Sequence, residues 1–404
     1  MSLASSPGPG PLMVQPEALA AAPHESFARL RVDHPVVTFG QGHYLVLRAR
    51  DVLFLLTDAR TRQVNGDEYA SLNRMPDGIT RRFQVDFFLF HDGDAHRARR
   101  GLFARRFAHR VMQDSRAIAG TIARRIVADL PRGETFDFVD RVAARVPAEM
   151  IAGILGLPAE ETDRFTRWVY EVALAISPVY PHEHHEAIEA ATGQLFDYVA
   201  GHLNARLAAP REDFLSALVR DWKDDPVIDF ESLTFQVMGI IIGGSDTTRA
   251  AFAMLTALLL ADRGQWEALL SDRALVAGAV SEALRFEPSV GTIPRVLTEP
   301  LAIGGVAMPA GSILRLSTMS AMRDPDLYSD PDRFDIRRTD HPQHHPVFGH
   351  GPHRCLGEML SRIEMEESLA ALLDAAPGIE MEVAPRMLGF GGIRRITPMA
   401  VRLP

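Results

Sequence analysis

A single cysteine stands in the chain, Cys355, inside the run Phe348-Gly349-His350-Gly351-Pro352-His353-Arg354-Cys355-Leu356-Gly357. The apolar periodicity of Glu358 to Leu373 predicts a helix that begins just beyond it. A sulfur so placed could ligate a metal as a thiolate. Glycines let the backbone come close to a bound group and supply amide hydrogens that stabilise charge on sulfur. The N-terminal end of the following helix adds positive potential, which lowers a thiol pKa. The competing reading is an inert, buried cysteine beside a Gly-rich turn. With one cysteine no internal disulfide can form, and a cluster held by four cysteines is excluded.

Other residues could support chemistry by their spacing. Glu282 and Arg285 lie three apart in a helical pattern, Ala274 to Phe286, that Pro288 stops, so they share a face and can pair. The run Phe235 to Leu260 is apolar all round, which predicts a buried helix, yet its middle reads Gly243-Gly244-Ser245-Asp246-Thr247-Thr248. Two glycines there cost about 1 kcal/mol each relative to alanine, so something must offset them. The Thr247 hydroxyl can bond a carbonyl one turn back and bend the helix. His96 and Arg100 are one turn apart and can act on one face. The cluster His182-Glu183-His184-His185 lacks metal-ligand spacing and reads as a surface loop, as do His341, His344 and His345.

Most of the chain from Ala49 onward has apolar residues at helical spacing, as in Ile118 to Leu130, Val142 to Leu155 and Leu195 to Leu207. Strand signals are few. Val36–Phe39 and Tyr44–Leu47 form a predicted hairpin, with further pieces at Leu301–Pro309 around Gly304-Gly305 and at Ile393–Val401. The fold class predicted is mainly α with small β-sheets, in one domain over 1–404 with a flexible start over 1–25. A net charge of -9 argues against nucleic acid as a partner. Asp246 and Arg249 in the middle of the long apolar run argue against a membrane span. Pro and Gly near the N-terminus stand where a signal peptide needs an apolar run, so a cytoplasmic location is expected.

The cysteine run resembles the haem-ligand signature of the cytochrome P450 family, soluble bacterial type. The other motifs follow that family's order, from His96 to Gly357 of a chain of fitting length. The resemblance implies the family's haem-thiolate fold, with haem b whose iron is ligated by Cys355 and enclosed by Phe348, Gly349 and Gly244. His96, Arg100, Arg295 and His353 would meet the haem propionates. Gly243, where Ala is commoner in the family, and Gly244 would leave room for dioxygen, and Asp246 and Thr247 match the acid–alcohol pair that delivers protons. Glu282 and Arg285 would form a structural triad with Arg333.

The activity implied is a monooxygenase that activates dioxygen to hydroxylate a small, mainly apolar organic substrate. Family substrate regions map to Phe83, Phe87, Phe88, Ile176, Val179, Gly239, Ile241, Ile242, Gly243, Val290, Gly291, Ile293 and Phe390. Gly239 and Gly291 are expected to leave space near the iron, and Arg81 and Arg82 are the nearest carboxylate anchors if they are not simply solvated. No Gly-x-Gly-x-x-Gly, flavin or iron–sulfur motif is present, so electrons are expected from a ferredoxin and a ferredoxin reductase. A basic run at residues 96–110, with Arg97, Arg106 and Arg110, together with Arg362, would receive that donor. The alternatives are a peroxide-driven peroxygenase, which the Asp246–Thr247 pair disfavours, and a non-catalytic haem-thiolate sensor.

Overall fold

The computed structural model describes residues 10–40, 42–112, 115–177, 179–342 and 345–404, without the side chains of 105, 106 and 108–112. It is mostly helical. The central element is the long helix Phe230–Ala261, buried along most of its length. It begins before the apolar run because the Asp229 side chain caps it, accepting from the Ser232 amide at 2.7 Å. Around it pack the helices Arg145–Leu155, Thr162–Ala173, His185–Ala208, Val276–Phe286 and Glu358–Ala375. One large apolar cluster joins them.

The predicted hairpin is present as Val36–Gly40 and His43–Val46. It is only part of a six-stranded sheet, ordered Leu12–Met13, Val36–Gly40, His43–Val46, Ile313–Ser317, Thr292–Leu297 and Thr61–Arg62. The strand Ile313–Ser317 joins His43–Val46 in parallel, a long-range pairing that no local pattern announces. Part of the start expected to be flexible is tied down, since Leu12–Met13 pairs with the hairpin and a helix follows at Pro16–Ala21. Around Gly304 and Gly305 the strands Leu301–Ile303 and Val306–Met308 pair as read. Both glycines have positive φ (56° and 82°), which a two-residue turn of this hand requires.

The helix Val276–Phe286 carries a fully buried ion pair. Arg285 Nε donates to Glu282 Oε2 at 2.7 Å and its Nη2 to Oε1 at 2.8 Å. Arg285 also donates to the carbonyls of Met322, Pro331 and Arg333. The triad expected with the Arg333 side chain is corrected here. That side chain is 68% exposed and its ion pair is with Asp335 at 3.7 Å. Arg333 contributes its carbonyl, which directs the side chain outward, and Arg338 reaches Glu282 instead, at 3.1 Å. The Asp335 amide adds a further bond to Glu282, at 2.9 Å.

Removing one partner from such a buried network leaves a charge uncompensated, at about 3–5 kcal/mol. Glu282→Ala and Arg338→Ala should therefore yield little soluble protein or show a much lower denaturation midpoint. Arg333→Ala keeps the carbonyl and should stay within about 0.5 kcal/mol of the parent. Equal destabilisation by Arg333→Ala and Arg338→Ala in urea unfolding would refute the assignment.

Candidate active site

A cavity of about 630 Å³ lies between the long helix, the cysteine loop and the sheet. Cys355 opens onto it while lying deep inside the protein. The loop is closed by the Cys355 amide, which donates to the Phe348 carbonyl at 2.8 Å, and by the Arg354 amide on Gly351 at 3.0 Å. Gly349 and Gly351 take φ of 70° and 69°, a region that side chains disfavour. Burial pushes the Cys355 thiol up, opposed by the amides of Gly357 and Glu358 and by Arg100. The donors that favour the thiolate are thus in place around a sulfur that the apolar surroundings alone would keep protonated.

One edge of the site is basic. Arg100 donates to the Arg354 carbonyl at 2.6 Å, and Arg295 to Gln63 Oε1 at 2.7 Å and the Pro294 carbonyl at 2.9 Å. Burial lowers Arg295 to about 10, so it stays charged at neutral pH. The rings of His96 and His353 are 4.1 Å apart. His353 Nε2 meets Asp92 at 2.6 Å, while His353 Nδ1 and His96 Nε2 are buried without a partner. Burial, then the neighbouring His353 and Arg100, depress His96 to about 4. A sulfur at one wall, cations at one edge and orphaned ring nitrogens beside them fit a flat, iron-bearing group with carboxylate side arms.

The long helix forms the opposite wall. Gly243 faces open space, so a side chain there would enter the cavity, whereas a Cβ on Gly244 would press on Ile151 at 3.2 Å. Thr247 is on the wall, its hydroxyl 3.4 Å from the Gly243 carbonyl. Asp246 is off the wall, ion-paired with Arg249, whose guanidinium lies 3.9 Å over the Tyr170 ring. Arg249 was read from sequence only as a charge that argues against a membrane span, and Tyr170 was not singled out, although Arg249 stands one turn beyond Asp246.

Phe87, Phe88, Ile176, Val179, Gly239, Ile242, Gly243, Val290 and Ile293 line the cavity, Val179 at the rim with 71% exposure. Phe83, Ile241, Gly291 and Phe390 do not. Phe83 is buried behind the Phe87 ring, stacked at 5.5 Å, and Ile241 is buried in the apolar core. Phe390 packs on Phe27 and Phe39 in a separate apolar cluster with Val37 and Leu45, and a Cβ on Gly291 would collide with the Phe390 backbone. Gly239 leaves no free space either, because the Phe87 ring lies where its side chain would be. Arg81 and Arg82 are outside the cavity, paired with Asp77 and Glu231. Arg315 and Glu364, neither foreseen, do line it; burial raises Glu364 well above the usual carboxyl range.

Of the residues read as a donor dock, Arg97 is exposed and paired with Asp94. Arg362 is partly buried, donating to Ser281 Oγ at 2.9 Å over the Phe348 ring. The side chains of Arg106 and Arg110 lie outside the described residues, as does His344. His182 meets the Asn73 carbonyl, His185 the Tyr180 hydroxyl, and His345 the Ser281 carbonyl. Among the described residues no cluster of three ligating side chains could hold a metal ion, and no helix is long and apolar enough to cross a membrane.

The chain matches the family model described as Cytochrome P450 over residues 13–375. It is 40% identical over 385 residues, 94% of this chain and 90% of the relative, to the plant-inducible Cytochrome P450-pinF1 of Rhizobium radiobacter. It is 32% identical over 372 residues to nocardicin C N-oxygenase of Nocardia uniformis subsp. tsuyamanensis, with 90% and 91% of the two chains covered. Among solved structures, CalO2 superposes with a TM-score of 0.88 at 26% identity, covering 97% of this chain and 99% of that one. The tirandamycin C-bound monooxygenase TamI gives 0.84 at 29%, covering 98% and 100%.

If Cys355 holds the haem iron, the reduced protein under carbon monoxide should show the strongly red-shifted Soret band of thiolate ligation. Cys355→His should abolish that band. A parent spectrum typical of a histidine-ligated haem would overturn the placement of the cofactor.

Proposed function

The chain belongs to the cytochrome P450 family of haem-thiolate monooxygenases, and from that premise we propose that it hydroxylates a small, mainly apolar molecule with dioxygen and electrons from separate redox proteins. Cys355 would hold the haem iron, with Arg100, Arg295, His96 and His353 at the propionates. When bound, the haem supplies oxygen activation and transfer to the substrate. The observation that carries the reading is the cavity itself, in which the sulfur of Cys355 and the hydroxyl of Thr247 share one apolar enclosure.

The chain's own residues handle position, water and protons. Phe87, Phe88, Ile242, Val290 and Ile293 present hydrocarbon, which rewards area burial at about 25 cal/mol per Å² and gives weak selectivity between similar shapes. Thr247 holds a hydroxyl at the wall, and Asp246, its neighbour in sequence, is held by Arg249 and is the carboxyl we assign to proton relay behind that wall. A ferredoxin is the donor class we propose. Arg100 bonds the Arg354 carbonyl and so sets the basic helix against the cysteine loop.

Thr247→Ala should bind substrate and consume electrons as the parent does, while releasing hydrogen peroxide in place of much of the product. Unchanged coupling of electron use to product would remove Thr247 from the proton route. Product formed with ferredoxin, its reductase and air, but not with peroxide alone, supports the dioxygen reading over a peroxygenase.

Reduction by an acidic ferredoxin should slow as salt rises, since screening shortens to about 8 Å at physiological ionic strength. Arg97→Glu should slow it at low salt without changing substrate affinity. Arg362→Glu is expected to disturb the loop itself, because that side chain packs on Phe348. A salt-independent rate unaffected by Arg97→Glu would move the dock elsewhere.

A further inference from the structure

We propose that the substrate carries a carboxylate, which Arg315 receives within the cavity while the apolar remainder of the molecule extends along the hydrocarbon wall. This rests on the monooxygenase reading above and names its substrate class: an apolar monocarboxylic acid.

Arg315 sits in the strand Ile313–Ser317 between Leu314 and Leu316, both completely buried in the core on one side of the sheet. Strand alternation sends Arg315 to the other side, where it joins the cavity wall with His43, Tyr69 and Asn73. Burial lowers its pKa, with Tyr69 the one group acting the other way. Among the described residues its guanidinium has no carboxylate partner and no hydrogen bond. Half-buried itself, Arg315 contrasts with more deeply buried arginines, which are provided for: Arg206 on Asp213, Arg285 on Glu282, Arg323 on Asp332 and the Phe286 carbonyl, Arg394 on Glu287. Within the cavity, Arg100 and Arg295 are also bonded.

Half-buried against the cavity, an unpaired guanidinium gains from an anion that completes it, and none of the described residues supplies one. The chemistry favours a carboxylate. The guanidinium fork matches its two oxygens, and one cation neutralises one negative charge. A phosphate monoester would bring a second charge with no second cation free for it among the described residues. Tyr69 already donates its hydroxyl to the carbonyls of Ala175 and Ser177, and burial and Arg315 both disfavour the cationic form of His43. Arg315 is also separate from the propionate edge. Arg295 and Arg315 both reach the cavity, but Arg295 stands opposite Leu314 in the strand register, so the two side chains leave the sheet in opposite directions, and Arg295 is already bonded to Gln63 and the Pro294 carbonyl.

The test uses the full-length haem-loaded protein and matched probes: decanoic acid and 4-ethylbenzoic acid, each beside its methyl ester. Binding is followed by the optical shift of the haem and independently by calorimetry. The parent should bind each acid more tightly than its ester. Arg315→Leu and Arg315→Gln should weaken the acids roughly tenfold to a hundredfold, as expected for one charge-assisted bond, and leave the esters unchanged. Arg315→Lys should recover part of the acid affinity. Equal binding of acid and ester by the parent overturns the proposal, and that comparison holds whether or not the variants fold. Loss of haem from Arg315→Leu and Arg315→Gln, with retention by Arg315→Lys, overturns it too, by assigning the cation to a propionate. Absence of the thiolate band in the parent overturns the underlying monooxygenase reading, whereas a normal band with acid–ester parity overturns the carboxylate site alone.

Discussion

Desolvation of a sulfur is the constraint on which the rest of this structure turns. Buried at the end of an apolar cavity, the Cys355 thiol is pushed toward its neutral form, and a metal ligand needs the anion. The surrounding loop is shaped to oppose that pressure. It turns through two glycines with positive φ so that the backbone passes close to the sulfur, and the amides at the start of the helix Glu358–Ala375 face it. Arg100 adds a positive charge nearby. Glu358 works in the other direction, and its carboxylate is drawn aside by Arg354 at 2.8 Å.

Holding that loop still is the work of the helix Val276–Phe286. The backbone carbonyl of Ser281 meets His345 Nε2 at 3.2 Å just before the loop, and the Ser281 hydroxyl accepts from Arg362 just after it. Ser281 is the neighbour of Glu282 in the helix Val276–Phe286. The buried Glu282–Arg285 pair in turn ties this helix to Met322, Pro331, Arg333 and Arg338. A desolvated ion pair is a poor source of net stability but a strong source of positional specificity, since shifting either partner leaves a charge unmet. The position of the sulfur therefore depends on a network on the far side of the loop.

How much of this was legible follows from how local each feature is. The cysteine loop packs its chemistry into ten residues, and the Glu282–Arg285 pair needs only one helical turn, so both could be read directly. The third partner could not. Arg333 and Arg338 lie five apart in an irregular segment, without periodicity to say which side chain turns inward. Cavity lining failed for a similar reason: Phe83 and Phe87 are one turn apart on the same helix end, and only the packed structure decides that Phe87 faces the cavity with Phe83 behind it. Gly239 was expected to leave space near the iron, but that space belongs to the Phe87 ring, a long-range fact. Arg315 was invisible because a lone arginine in a short strand signals nothing until its neighbours prove to hold no anion.

The charge on the long helix shows how an apolar wall and a proton source can coexist. A bare carboxylate facing the cavity would lose hydration worth several kcal/mol and would draw water in with it. Asp246 avoids both effects by turning from the wall to Arg249, three residues on, and Arg249 is covered by the Tyr170 ring from the neighbouring helix. The acid is thereby paired in a largely buried position, one residue from Thr247, while the wall itself shows a hydroxyl and two glycines. Gly243 keeps open the space beside that hydroxyl, and Gly244 admits Ile151 behind it. The helix cost of the two adjacent glycines is thus offset on both sides, by free volume in front and by packing at the back.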